Sequence, residues 1–254
     1  MSLHDPNLTI LDFDGTYEEQ TELCARFPHR DVDFRTLRGT SLYCSQQAFS
    51  SIRNLLPRSR GPAVTLIGSG NYHFVALALL SQIEKPFSLV LIDHHTDSAE
   101  GEIPNLISCG NWIRHAFRQV PQLRRVLMIG QTPAAVTQLS PNIREKTRYL
   151  TPAQLSDVTE LLADIPTEDL YLSFDKDALD PTQAVTNWDQ GELQLPALLP
   201  ELKVLTREKH LCGADICGEF PASPLDLFKP DVREAIRKNE CANERLLDVL
   251  LGAA

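Results

Sequence analysis

Phe87-Ser88-Leu89-Val90-Leu91-Ile92-Asp93-His94-His95-Thr96-Asp97 runs from six uncharged residues straight into acids and imidazoles. The uncharged run suits a strand buried on both faces, as in parallel sheets covered by helices. Working outward, similar runs recur at Leu8 to Phe13, Ala63 to Ile67, Arg125 to Ile129, Leu170 to Phe174 and Leu211 to Ile216. Helical patterns lie between them, at Ser45 to Leu56, Tyr72 to Ile83, Trp112 to Val120, Pro152 to Ala163 and Pro200 to Thr206. Thr151 before Pro152 supplies an N-cap and first-turn pair. This alternation predicts an α/β fold with a mostly parallel sheet. No repeat or linker divides the chain, so residues 1–254 read as a single domain. The amphipathic tail, Pro230 to Leu251, predicts a helix packed on its own domain, with a homo-oligomer contact as the alternative.

In open α/β sheets, ligands bind beyond the carboxyl ends of the strands. Several strand ends here carry polar groups. Asp93 follows one run. Ser173-Phe174-Asp175-Lys176-Asp177-Ala178-Leu179-Asp180-Pro181 closes another. His73 comes after the turn Gly68-Ser69-Gly70-Asn71, and Glu219 after Leu211 to Ile216. Alternate side chains of extended backbone point the same way, so Asp93, His95 and Asp97 converge, as do Asp175 and Asp177. Converging carboxylates repel each other unless cations bridge them. His73, Asp93, His95, Asp97, Asp175 and Asp177 are therefore the candidate metal ligands. Hard carboxylates with a few imidazoles suit Mn²⁺, and Zn²⁺ or Fe²⁺ less well. Bridging carboxylates can hold two ions about 3.5 Å apart, as in two-metal hydrolases.

These motifs resemble those of the ureohydrolase superfamily of arginases, agmatinases and formimidoylglutamases, of which the chain reads as a divergent member. The family's DAHxD motif is similar to Asp93-His94-His95-Thr96-Asp97, and its SxDxDxxDP motif to Ser173 to Pro181. Its Gly-Gly-Asp-His segment resembles Gly70-Asn71-Tyr72-His73, and its DIxE segment Asp215-Ile216-Cys217-Gly218-Glu219. The resemblance implies a three-layer α-β-α fold and two Mn²⁺ ions. It also implies hydrolysis of an amidine or guanidino C–N bond in a small-molecule substrate by a metal-activated hydroxide. By position, His73 and Asp97 would bind one ion, His95 and Asp177 the other, with Asp93 and Asp175 bridging. Asp97 would also hold the hydroxide by a hydrogen bond, and Glu219 would grip a guanidinium. Asn111, Trp188 and Glu219 are the candidate substrate-binding residues. The sequence departs from the family in several places. His94 replaces Ala, Asn71 and Tyr72 replace Gly and Asp, and Glu219 stands one residue late. In Cys109-Gly110-Asn111-Trp112-Ile113, Ile113 occupies the position of the family's proton-shuttling His. Trp112 and Ile113 are expected to close or dry the pocket.

Other readings exclude or compete. The chain of 254 residues is 43% hydrophobic and 23% charged, with a net charge of -10. No Lys/Arg cluster offers a nucleic-acid surface. No apolar run is long enough for a membrane span, and a secretory signal is lacking, so a cytoplasmic protein is expected. The six cysteines form no CxxC pair and read as reduced thiols, with Cys217 taken as buried and inert. Asp12-Phe13-Asp14-Gly15-Thr16 matches the nucleophile motif of haloacid-dehalogenase-type phosphatases, yet reads as a strand and turn. Asp93-His94-His95 also resembles the DHH phosphoesterase signature. A catalytically weak arginase-like binding protein is the third alternative. Asp180 reads as a turn residue, and His4, His29, His115 and His210 as structural or exposed.

Overall fold

The structure, a computed structural model, describes residues 6–57, 63–101, 103, 105–150 and 158–252. Its main sheet contains β1 (Leu8–Asp12), β2 (His29–Asp33), β4 (Val64–Gly68), β5 (Phe87–Ile92), β7 (Leu123–Ile129), β8 (Thr147–Leu150), β9 (Asp169–Asp175) and β10 (His210–Cys217). β3 (Tyr43–Cys44) and β6 (Ile107–Ser108) form a separate antiparallel pair. The main sheet runs in the order β2-β1-β4-β10-β9-β5-β7-β8, and every neighbouring pair is parallel. Its four central strands thus bring the ends of β4, β10, β9 and β5 side by side.

Each face of the sheet has its own apolar layer, because successive residues of a strand point to opposite sides. Val90 and Ile92 enter one cluster; Leu89 and Leu91 enter the other. The first cluster is covered by α1 (Thr21–Arg26), α7 (Val158–Ala163), α8 (Leu195–Glu208) and α9 (Pro230–Leu250), through Leu23, Leu161, Leu198, Leu202, Leu246 and Leu247. The second is covered by α2 (Gln46–Leu55), α3 (Val75–Leu80) and α4 (Trp112–Gln119), through Phe49, Ile52, Leu77 and Ala116. This is a three-layer α-β-α arrangement. Two short helices, α5 (Pro133–Thr137) and α6 (Pro141–Glu145), join β7 to β8.

Local chemistry sets the element ends. Ser45 caps α2, its hydroxyl accepting from the Ala48 N–H at 3.2 Å. The helix expected at Pro200 to Thr206 is longer, because α8 begins at Leu195 and carries Pro200 inside. Leu195, Leu198, Leu202 and Leu205 lie at helical spacing and are buried. Their packing outweighs the one backbone hydrogen bond that Pro200 removes. The pattern from Tyr72 to Ile83 divides into a 3-10 turn, Gly70–Tyr72, and α3. The edge strands β2 and β8 carry no continuous apolar run and escape the sequence pattern. The tail forms α9, whose Leu246, Leu247 and Leu250 pack into the molecule's own core. The Thr151-Pro152 helix start lies outside the described residues. All six cysteines are free thiols.

Candidate metal centre

β5, β9 and the turn after β4 deliver their ligand candidates to one cavity of about 390 Å³. His73, Asp93, His95, Asp97, Asp175 and Asp177 all line it. His73 Nδ1 lies 3.0 Å from Asp97 Oδ2, 3.3 Å from Asp93 Oδ2 and 3.5 Å from Asp175 Oδ2. On the other side of Asp93, His95 Nδ1 lies 2.8 Å from Asp177 Oδ2 and 3.6 Å from Asp93 Oδ1. The side chains fall into compact trios. His73, Asp93 and Asp97 form one, and Asp93, His95 and Asp177 another, with ligand atoms within 4.8 Å of one another in each. His73, Asp175 and Cys217 form a third.

The backbone is shaped for this convergence. Asp97 sits at φ 45°, a left-handed conformation that Asp tolerates better than most residues. Two contacts brace it: the Trp112 indole N–H donates to Asp97 Oδ2 at 2.6 Å, and the Ile113 N–H donates to Asp97 O at 2.9 Å. At Gly70, a Cβ would meet Trp188 Cδ1 at 3.0 Å and Asp175 Oδ2 at 3.1 Å. A residue without a side chain lets the turn press this close.

The electrostatics describe a site built for positive charge. Burial raises Asp175 to about 7, with help from the neighbouring Asp177 and Asp93. Burial also raises Asp177, to about 6, and Asp93 adds to it. Burial opposes a charge on His95, but hydrogen bonds to Asp177 and Asp93 push it up to about 12. His73 shows the same contest: burial lowers it, while Cys217, Asp93 and Asp97 raise it well above the usual imidazole value. Asp93 Oδ2 is buried and has no hydrogen-bond partner among the described residues. An orphaned carboxylate oxygen between two imidazoles fits a cation.

Other residues buttress the cluster. His73 Nε2 lies 2.9 Å from Ser173 Oγ, whose hydroxyl donates to Asp215 Oδ1 at 2.8 Å. The His94 N–H donates to Asp177 Oδ1 at 3.0 Å. At the mouth, Asp189 approaches His95 Nε2 at 3.2 Å and His94 Nε2 at 3.8 Å. Ser173 and Asp215 stand inside the motifs, yet their role as a relay behind His73 required the cross-strand neighbourhood of β9 and β10. His94 reads in the sequence as a departure from the family's Ala, and Asp189 belongs to no motif.

The substrate candidates separate. Trp188 lines the cavity, edge-on to His95 with ring centroids 5.8 Å apart. Asn71 Oδ1 accepts from the Trp188 indole and the Asn187 amide at 3.1 Å each, so the departure at Asn71 tethers this loop. The structure does not bring Asn111 to the cavity lining. Its side chain staples its own loop, accepting from the Ser108 N–H and donating to Leu106 O. Glu219 also stays off the cavity. It is 1% exposed and held by Lys176, Gln20 and Asn243, an arrangement that spends its charge internally. Lys176, itself wholly buried, is the residue that draws it away, and its position between two metal candidates gave no warning. Trp112 and Ile113, expected to close the pocket, instead back Asp97 from within the core and are wholly buried. Asp12 is engaged by the Gly15 N–H at 2.7 Å and by Arg35 at 3.3 Å, and Gly15 takes φ 76°. This is a strand and turn, as its sequence suggested.

The fold and the site together define the class: a parallel α/β protein whose strand ends gather carboxylates and imidazoles into a candidate metal centre. The chain belongs to the arginase family, which its sequence matches over residues 22–222. It is 34% identical over 233 residues to an uncharacterized protein of Thermotoga maritima, covering 91% of this chain and 86% of that one. Its fold is similar to a hypothetical agmatinase from Burkholderia thailandensis (TM-score 0.68, 17% identity, 97% of this chain and 86% of that one). It is similar to proclavaminate amidino hydrolase from Streptomyces clavuligerus (TM-score 0.68, 15% identity, 96% and 92%). It also resembles formimidoylglutamase from Bacillus subtilis (TM-score 0.68, 13% identity, 99% and 88%). At these identities the structural likeness speaks for the fold. No helix among the described residues is long and apolar enough to cross a membrane.

Proposed function

We propose that the chain is a metal-dependent hydrolase that cleaves the C–N bond of a small linear amidine or guanidino compound. One observation carries the reading: the His73 trio and the His95 trio share Asp93 and open on one cavity. His73, Asp93 and Asp97 would hold one divalent cation, and Asp93, His95 and Asp177 the other, with Asp175 beside the first. The donors are mostly hard, which favours Mn²⁺. When bound, the cations would supply Lewis acidity and a water of lowered pKa.

The chain's own groups then have distinct tasks. Asp97, braced by Trp112, is placed to accept a hydrogen bond from the attacking water. Trp188 gives the cavity an apolar wall that excludes bulk water. Asp189, at the mouth, takes the part expected of Glu219 and pairs with a cationic substrate nitrogen. His94 lines the cavity outside the ligand trios and passes a proton to the departing nitrogen. This assigns to His94 the work that Ile113 cannot do.

The test is urea or ammonia release from guanidino and formimino compounds with added Mn²⁺. Release from at least one compound supports the reading. Ile113, standing in the core where the family has its proton-shuttling His, favours a second reading, a binding protein of weak activity. Stoichiometric metal with no release across the panel would favour that alternative and overturn the first.

A further inference from the structure

Cys217 ends β10, and its thiol donates to Asp175 Oδ2 at 3.1 Å. It is wholly buried and forms a compact trio with His73 and Asp175, also buried. The next residue explains the approach. Gly218 adopts φ +87°, and a Cβ there would meet Asp175 Oδ1 at 2.4 Å and the Lys176 N at 2.7 Å. Only a glycine lets the end of β10 fold this tightly onto β9, and that fold carries the sulfur to the ligand cluster. A separate observation points to a ligand at His73. Asp93 Oδ2, buried and with no hydrogen-bond partner among the described residues, lies 3.3 Å from His73 Nδ1, in the neighbouring trio that His73 forms with Asp97. Nitrogen, carboxylate oxygens and one sulfur therefore surround the His73 side of the cluster. The His95 trio contains no sulfur.

We infer that Cys217 is a thiolate ligand of the cation held at His73, and that it biases this position towards a thiophilic ion such as Zn²⁺, Fe²⁺ or Co²⁺. The inference rests on the proposed reading of the cluster as a metal centre and refines the choice of ion. On binding, the S–H bond breaks, the proton leaves to solvent, and the sulfur lone pair forms the metal bond. Soft sulfur selects against Mn²⁺, whereas the oxygen-rich His95 position keeps a hard donor set. The two positions thus differ in metal preference.

Cobalt substitution tests this. The metal-stripped full-length chain is titrated with Co²⁺, and the near-ultraviolet sulfur-to-cobalt charge-transfer band is followed. Cys109, the cysteine in the cavity lining, serves as the control, since Cys217 stands behind that lining. The band is expected in the parent chain and in Cys109→Ser, and is lost in Cys217→Ser. The preference for Zn²⁺ over Mn²⁺ should fall at least about tenfold in Cys217→Ser, the scale on which losing a ligand-shell interaction acts. X-ray absorption of the Zn²⁺-loaded Cys109→Ser chain, in which Cys217 is unaltered, should show a sulfur neighbour at about 2.3 Å. Stoichiometric Co²⁺ without the band, or a band surviving in Cys217→Ser, overturns the inference and leaves the metal centre standing. Absence of stoichiometric Co²⁺ overturns both.

Discussion

His73 Nε2 and Ser173 Oγ stand 2.9 Å apart, and this contact fixes which face of the imidazole a cation can use. The Ser173 hydroxyl has one proton, and it goes to Asp215 Oδ1. Its oxygen must then accept from His73 Nε2–H, which leaves Nδ1, facing Asp93, Asp97 and Asp175, as the nitrogen that a cation takes in exchange for its proton. Ser173→Ala removes this orientation while leaving every ligand in place. The expected result is a metal affinity about 10- to 100-fold weaker, measured by competition with a chelator. Unchanged affinity would show that the relay does not matter.

Proton competition should make metal binding steeply dependent on pH. In the metal-free protein Asp175 lies near 7 and Asp177 near 6, both above their ordinary value. Between their unfolded and folded values the native state binds more protons than the unfolded one, so metal-free stability falls as pH rises through that window. His95, raised to about 12, has the same sign: its stabilisation is full below its unfolded value and is lost only as pH climbs to the folded one. Cations displace these protons and bind better as pH rises. The difference in Tm between loaded and chelator-treated protein should therefore widen from about pH 5 to about pH 8. A gap that stays constant or narrows contradicts this electrostatic picture.

Lys176 is buried with Glu219 and also donates to Asn243 Oδ1 at 2.9 Å. Lys176→Met strands the Glu219 carboxylate. Breaking a buried pair from one side destabilises by about 3–5 kcal/mol. Urea unfolding of the metal-free chain measures this. Lys176→Met combined with Glu219→Gln should recover a large part of the loss, since no unpaired charge then remains. Equal losses in the single and double variants would show that packing, not charge, dominates.

His94→Ala should lower kcat about 10²-fold or more without changing metal content, as expected for loss of a proton-transfer group. A loss of metal together with activity would move His94 from proton transfer to support of the cluster. That support would run through the His94 side chain to Asp189, which meets His95 Nε2, since the substitution keeps the backbone N–H to Asp177.

The core strands and the metal candidates were legible because both write themselves in local sequence. Phe87–Ile92 is uninterrupted by charge, and the acids follow at alternate positions. Turning backbone, not an extended strand, makes them converge: β5 ends at Ile92, Asp97 sits at φ 45°, and Asp177 lies in the 3-10 turn Lys176–Ala178. The edge strand His29–Asp33 was hidden because one flank meets solvent and its residues are largely polar. Pro200 disguised the length of α8, since local propensity forbids what leucine packing enforces. The pairing of Lys176 with Glu219 joins residues 43 positions apart and depends on β9 lying beside β10. For the same reason Glu219, placed in the pocket by motif, stands behind it. The sequence reading of Cys217 as a buried thiol holds, and its contact with Asp175 is visible only in the fold.

The most direct test is anomalous diffraction from crystals grown with both Mn²⁺ and Zn²⁺, on the parent chain and on Asp97→Ala and Asp177→Ala. The account predicts a pair of peaks flanking Asp93 in the parent, one beside His73 and one beside His95, with loss of stoichiometric metal in each variant. A cavity without peaks, or full retention of both ions in both variants, would contradict it.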